Sequence, residues 1–481
     1  MRERNPSQQD ILMRERAKQN GVAFSLFTLF LSLSLLAAVP VAMWVTGTDI
    51  PTLLQNLFRI CTSPSKLVTD YFGVGCLAST LLNAGLCGLA CNLLILISRT
   101  QASSTTFAAY ILVIAHGFYG LNLINMWPPF IGVIIYCFAT KNPLRKNLHV
   151  AMFATALAPF ISDFLFCYPL GIFVNIAGAN VNIVGVAVSV LFGFGSGFLV
   201  PALLPGTTAM HRGYNMYKAG LALGIFGIFV YCFLYKTLGI APAESVGGEN
   251  ALYRESFGHT YWVFMNVFFI ILFAACELLG FLLNGCSFRN YRALLKCTGH
   301  GLDFADKFGM PVCFINFGVY GFCILAYLNL IFLLPVLFPV LPDGVGFTGP
   351  TVGVTFAALT FSADGQHPKN VAPIVLGYVI LFALTCGICA VSGLDIPWTL
   401  STQAYINGLA FATGLCPIAG KYGWKWGVVA GLVSAIICTS TAAMHGGFVL
   451  YNGGFNAGLT ALILIPVLDF YRIEPIHQDD D

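Results

Sequence analysis

Ten apolar stretches, each long enough to cross a lipid bilayer as a helix, dominate the chain and leave little room for another kind of fold. They fall near 22–45, 72–98, 147–172, 180–204 and 213–236, and again near 259–284, 309–340, 398–418, 423–443 and 455–472. Roughly 20 apolar residues of α-helix cross a hydrocarbon core, where only helices and closed barrels satisfy every backbone N–H and C=O. Composition removes the soluble alternative. Apolar residues make up 58% of the 481 positions and charged ones 9%, too few charges to cover a water-facing surface of that size. The sequence therefore predicts an all-α integral membrane protein.

Two further segments, 104–140 and 350–392, are apolar at both ends and polar in the middle. Their centres run from Gly117 to Pro129 and from Ser362 to Pro373, rich in Gly, Asn and Pro. Such arms predict interrupted or re-entrant helical hairpins, with two tight full crossings as the alternative, because irregular backbone at that depth survives only inside protein or beside a water-filled cavity.

The same landmarks recur in the same order in both halves. Asp70 through Asn83-Ala-Gly85 matches Asp303 through Asn316-Phe-Gly318. Gly120, Asn122, Asn125, Pro128 and Gly132 match Gly365, His367, Asn370, Pro373 and Gly377. Phe153 through Pro159 matches Phe411 through Pro417, and the His211…Tyr214-Asn215…Ala219-Gly220-Leu221 block matches His445…Tyr451-Asn452…Ala457-Gly458-Leu459. Each half then has about five crossings plus one hairpin, and an odd number of crossings turns the second half upside down. Two inverted-topology repeats with interrupted helices at matching positions are the pattern of secondary transporters and related channels. The repeat is imperfect: the first half carries about twenty extra residues, 160–181, and Asn122 becomes His367.

Lys and Arg set the orientation. The N-terminal cluster, Arg99, Lys141 with Arg145 and Lys146, Arg212, Arg289 with Arg292 and Lys296, Lys421 with Lys425, and Arg472 all fall on one side if both hairpins return to the side they left. Arg59 and Lys66 run against the rule. The expected organisation is a cytoplasmic segment 1–21, a transmembrane repeat 22–240, an extracytoplasmic linker 241–258, a second repeat 259–472 and a cytoplasmic acidic tail 473–481. The expected location is the cytoplasmic (inner) membrane of a bacterium, with both termini in the cytoplasm.

For solute binding the candidates are Asn122, Asn125, His367 and Asn370 in the hairpin centres, with Asn83, Asn316, Thr155 and Thr413 inside apolar spans. Amides and hydroxyls supply donors and acceptors at membrane depth without the desolvation cost of a charge; the same groups also cap helices and bridge them. Coupling or gating falls to Glu277 and Asp163, acids at membrane depth, and to His211 and His445. The sixteen Cys include only one close pair, Cys386 and Cys389, with no ligand spacing around it. Gly193-Phe-Gly-Ser-Gly197 lacks the Lys of a phosphate loop. No metal and no cofactor is expected, and a net charge of +3 points to no nucleic acid.

Ser63-Pro64…Thr69-Asp70-Tyr71 through Asn83-Ala-Gly85, with Tyr214-Asn215 and Tyr451-Asn452, resembles a bacterial multi-pass membrane family catalogued only as a domain of unknown function. The architecture is also similar, more weakly, to urea transporters, although Asn122 and Asn125 do not form their Asn-Asn-Pro signature. The expected function is a secondary transporter or solute channel for a small polar solute or ion, with lipid and that solute as partners and a homo-oligomer left open. An intramembrane enzyme built on His and acidic residues, or a non-transporting scaffold, are the alternatives.

Overall fold

The computed structural model describes residues 8–67, 69–242, 258–342 and 346–477. Most of the linker expected at 241–258 and the last four residues of the tail lie outside them. The first half consists of α1 (Gln8–Thr46), α2 (Ile50–Thr62), α3 (Tyr71–Val74), α4 (Leu77–Ser98), α5 (Ser104–His116), α6 (Trp127–Ala139), α7 (Leu144–Ala154), α8 (Ala158–Phe166), a β-hairpin of β1 (Phe173–Ile176) and β2 (Ala179–Asn182), α9 (Ile183–His211) and α10 (Lys218–Tyr231). The second half repeats this order: α11 (Gly258–Leu283), α12 (Tyr291–Leu294), α13 (Phe304–Phe308), α14 (Met310–Leu337), α15 (Gly349–Ala358), α16 (Pro368–Ser392), α17 (Gln403–Ala412), α18 (Cys416–Tyr422), α19 (Trp424–Met444) and α20 (Asn452–Phe470). The fold is two inverted helical repeats. The β-hairpin is antiparallel, with Phe173 opposite Asn182.

Ten of the described helical segments are long and apolar enough to cross a membrane. Nine fall where the sequence places a span. The exception is the stretch expected near 398–418, where a 3-10 turn, Thr413–Leu415, divides α17 from α18; α16, with 25 residues, is the tenth long helix instead. The first half has the same break at Thr155–Leu157, between α7 and α8. Pro159 and Pro417 cause it, since proline has no N–H to return to the preceding turn. The 3-10 turn closes the gap, with Ala158 N–H on Thr155 O and Cys416 N–H on Thr413 O, while the Thr155 and Thr413 hydroxyls donate back to Met152 O and Ala410 O at 2.6 and 2.7 Å. Because α8 matches α18, the insertion in the first half is narrower than expected: it is the β-hairpin, not the whole of 160–181.

Matching helices pair in matching ways: α1 on α4 and α11 on α14, α6 on α9 and α16 on α19. Pro128 lies against Gly193 and Gly132 against Gly197, so α6 and α9 run in the same direction. Thr105 at the start of α5 shares a cavity with Thr208 near the end of α9, so those two helix ends lie side by side. In the second half Gly427 meets Pro373 and Gly431 meets Ile374, which makes α16 parallel to α19. Large apolar side chains point outward in a belt; Phe138 is 78% and Val391 90% exposed. Between lipid and protein such residues gain little from burial, so close backbone packing holds the helices together.

Candidate functional site

Each hairpin centre is held by one buried asparagine from the preceding long helix. Asn83 Nδ2 donates to Gly117 O and Leu121 O at 2.8 and 2.9 Å. Its counterpart Asn316 donates to Ser362 O and Gln366 O at 2.8 and 2.7 Å. One amide thus satisfies two carbonyls freed where α5 and α15 end, which is the obligation of any buried helix terminus.

Within each centre, two side chains cap each other's backbone. Asn122 N–H donates to Asn125 Oδ1 at 2.8 Å, and Asn125 N–H to Asn122 Oδ1 at 3.0 Å. In the second half His367 N–H donates to Asn370 Oδ1 at 3.0 Å, and Asn370 N–H to His367 Nδ1 at 3.3 Å. With Nδ1 accepting, the proton sits on Nε2, which donates to Cys297 O at 3.0 Å. Asn122 also reaches Ile60 O at 3.1 Å, and Asn125 reaches Ser162 Oγ at 2.9 Å. The structure does not bring the two centres together. α5 and α15 lie antiparallel, with Gly349 against Phe118 O and Gly353 against Ala115 O, so the centres sit at opposite ends of a helix pair whose α5 arm is ~20 Å long.

Carboxylates latch these arms across the two halves. Asp70 Oδ1 accepts Gly349 N–H, the first of α15, at 2.9 Å. Asp303 Oδ2, its repeat counterpart, accepts the Ser104 hydroxyl at the start of α5 at 2.6 Å. Each half therefore caps the interrupted helix of the other.

The axis relating the halves is marked by Gly220 and Gly454, each the third residue of its helix. A Cβ on Gly220 would fall 2.5 Å from the Gly454 carbonyl carbon. Equivalent residues of an inverted repeat can touch only on the axis that relates the halves, so α10 and α20 both begin there. The repeat register is thereby corrected by one helical turn, because Gly220 matches Gly454 and not Gly458. Tyr217 and Tyr451 precede the two helices. Tyr217 packs on Phe361 and Phe411 with ring centroids 4.7 and 4.9 Å away; Tyr451 packs on His116 and Phe153 at 5.1 and 6.2 Å. Thus His116 stands where the other half has Phe361. It is buried, with Nδ1 2.6 Å from Leu112 O and Nε2 3.2 Å from Leu450 O. A neutral imidazole can donate to only one of them.

Two vestibules approach this ring cluster from opposite ends. One, about 310 Å³, is lined by Tyr119, Gln403, Asn407, Phe411, Asn452 and Asn456. The other, about 480 Å³, is lined by His149, Phe153, Tyr217, Lys218, Asp364 and Tyr451. Phe411 of the first packs directly on Tyr217 of the second, so one layer of rings divides them. Equivalent positions carry different chemistry: Asn452 against Lys218, Asn407 against His149, and Tyr119 against Asp364.

Of the other expected residues, Thr155 and Thr413 lie at the helix breaks beside the axis, and Gln366 Nε2 donates to Thr413 Oγ1 at 2.8 Å. His211 and His445 occupy equivalent buried positions; His445 Nε2 donates to Asn452 Oδ1 at 3.0 Å, at the first vestibule. Asp163 lies away from the axis and accepts the Tyr235 hydroxyl. The match of α8 to α18 gives Asp163 a counterpart after all, Lys421. Glu277 is peripheral, where α11 meets Gly318 of α14. His116, Tyr119, Tyr217, Lys218 and Tyr451 escape the sequence reading. For His116, Tyr119 and Lys218 the signal is an unlike residue at the repeat-equivalent position, and for Tyr217 and Tyr451 it is a matched pair; both require the structural register to be seen.

No curated protein and no solved structure matches the chain, and the likeness to urea transporters draws no support from them. The family described as Protein of unknown function (DUF1576) matches residues 50–236 and again residues 283–470. One family unit per half agrees with the inverted pair of helical repeats, and the chain belongs to this family of multi-pass membrane proteins.

Proposed function

We propose that the chain is a secondary transporter or solute channel for a small polar solute or ion, with its site on the axis between the repeats. The observation that carries this reading is the pair of vestibules, which reach one layer of aromatic rings from opposite ends. Inverted repeats whose helices start or break at mid-depth are the architecture in which rocking one half against the other exposes a fixed site alternately to the two sides. In this reading both hairpins are re-entrant and the membrane is the cytoplasmic one. Both termini and the Lys218 vestibule face the cytoplasm, following the Lys and Arg distribution. Asn83, Asn122, Asn125, Asn316, His367 and Asn370 hold the hairpins in shape, and Thr155 and Thr413 hold the breaks, while His211 and His445 gate the two approaches. Asp163 and Glu277 serve coupling from outside the axis.

The full chain, purified and reconstituted in liposomes, should pass at least one of urea, glycerol, acetate, nitrate, potassium or ammonium faster than protein-free vesicles do. Gly220→Leu, which drives a side chain into Gly454, should abolish that flux. Wild-type protein that is monodisperse, yet passes none of the six, would sink the reading.

A further inference from the structure

We infer that the solute is a small monovalent oxyanion, a carboxylate or an inorganic ion of that shape, received at the start of α20. This deepens the transport reading and rests on it. α20 runs for 19 residues, its first turn has no side-chain cap, and Asn452 and Gly453 of that turn line the Asn407 vestibule. Asn452 N–H is taken by Val449 O at 3.2 Å, which leaves the Gly453 N–H free on the vestibule side, at a helix start that carries about half a positive charge.

The side chains around it leave donors free. The Thr348 and Thr351 hydroxyls both donate to Gln403 Oε1, at 2.8 and 3.1 Å. Gln403 Nε2 then donates to Asn407 Oδ1 at 2.6 Å. That relay fixes the Asn407 amide with its oxygen occupied and its NH2 available. His445 does the same to Asn452, whose Oδ1 accepts from Nε2. The Tyr119 hydroxyl is fully buried, lines the same vestibule and has no partner. A lone acceptor, Asn456 Oδ1, stands among these donors without a partner. Among the described lining residues there is no carboxylate. A cation would find almost nothing to coordinate it here, whereas an anion would find three donor side chains and a helix start.

The other vestibule is built to release the same solute. α10 also starts without a side-chain cap, at Lys218, but Asp364 lines that vestibule too and sits 3.3 Å from Ser104 Oγ. When ionised, its carboxylate opposes the attraction of Lys218 and weakens the hold on an anion.

The test uses full-length protein in liposomes adsorbed on a sensor, with current recorded on jumps of sodium acetate or sodium nitrate, and urea and potassium flux measured in parallel. Saturable current with either anion is expected. Tyr119→Phe should raise the half-saturating concentration by about three- to tenfold, the worth of one hydrogen bond. Asn407→Asp, which turns a donor into a repelling carboxylate, should raise it further, and Asn407→Ala provides a check if that variant folds poorly. Flux of urea or potassium without anion current overturns this inference and leaves the transport reading standing. No flux of any probe overturns both, and anion current unaltered in all three variants overturns the site.

Discussion

The buried amides Asn83 and Asn316 show how much a single side chain can fix in this fold. Each donates twice to backbone carbonyls at the end of an interrupted helix, and all four carbonyls belong to buried residues. Asn316→Ala should therefore cost about 1–3 kcal/mol, the penalty for stranding buried acceptors. That exceeds the ~0.6 kcal/mol average for interhelical hydrogen bonds in membranes, because neither carbonyl has another donor. A lower thermal midpoint in detergent would show it; an unchanged midpoint would mean that the hairpin refills the gap. His116→Phe copies the residue at the equivalent position of the other half. It removes the side-chain donor within reach of Leu450 O, while Leu112 O keeps the helical N–H of residue 116, and should destabilise by a similar amount, read in the same assay. The two asparagines are legible in the sequence because they repeat. Their task is not, since an Asn in an apolar span reads equally as pore lining or as cap. His116 is invisible by pattern: one histidine at the end of an apolar run becomes informative only when the register sets it against Phe361.

Interrupted helices need their ends satisfied by something outside themselves, and here the other half does it. Asp70 uses one oxygen, Oδ1, for both Phe72 N–H and Gly349 N–H. Asp303 divides the work, with Oδ1 on Asp306 N–H and Oδ2 on Ser104 Oγ. This difference predicts unequal tolerance. Asp70→Asn keeps the oxygen that carries both bonds and should be nearly neutral, whereas Asp303→Ala loses both of its bonds and should cost about 1 kcal/mol. Thermal unfolding of both variants measures the contrast, and equal losses would contradict the latch. At this scale the sequence is a good guide to where helices stop, since Gly, Asn and Pro mark the hairpin centres. It is a poor guide to how far they run. The 25 residues of α16 look like a short arm beside α6, and the break after Ala412 is hidden inside an apolar run that reads as one span.

Across the whole molecule, two halves of common design have diverged at the place where they meet. Inversion puts equivalent residues at opposite ends, so every substitution in one half makes the two sides of the membrane unlike: Asn452 and Asn407 at one vestibule, Lys218 and His149 at the other. The arrangement predicts a sidedness that can be read directly. Thr439 lines the Asn407 vestibule and Thr208 the other. In a background freed of the exposed thiols Cys232, Cys286 and Cys323, Thr439→Cys should react with an impermeant maleimide added outside intact cells. Thr208→Cys should react only after the membrane is opened. Reaction of both from one side would mean that the vestibules share a face, and the inverted arrangement could then not move a solute across. If the sidedness holds and transport occurs, solute present during labelling should change both rates in opposite directions, because opening one vestibule closes the other when a single ring layer divides them.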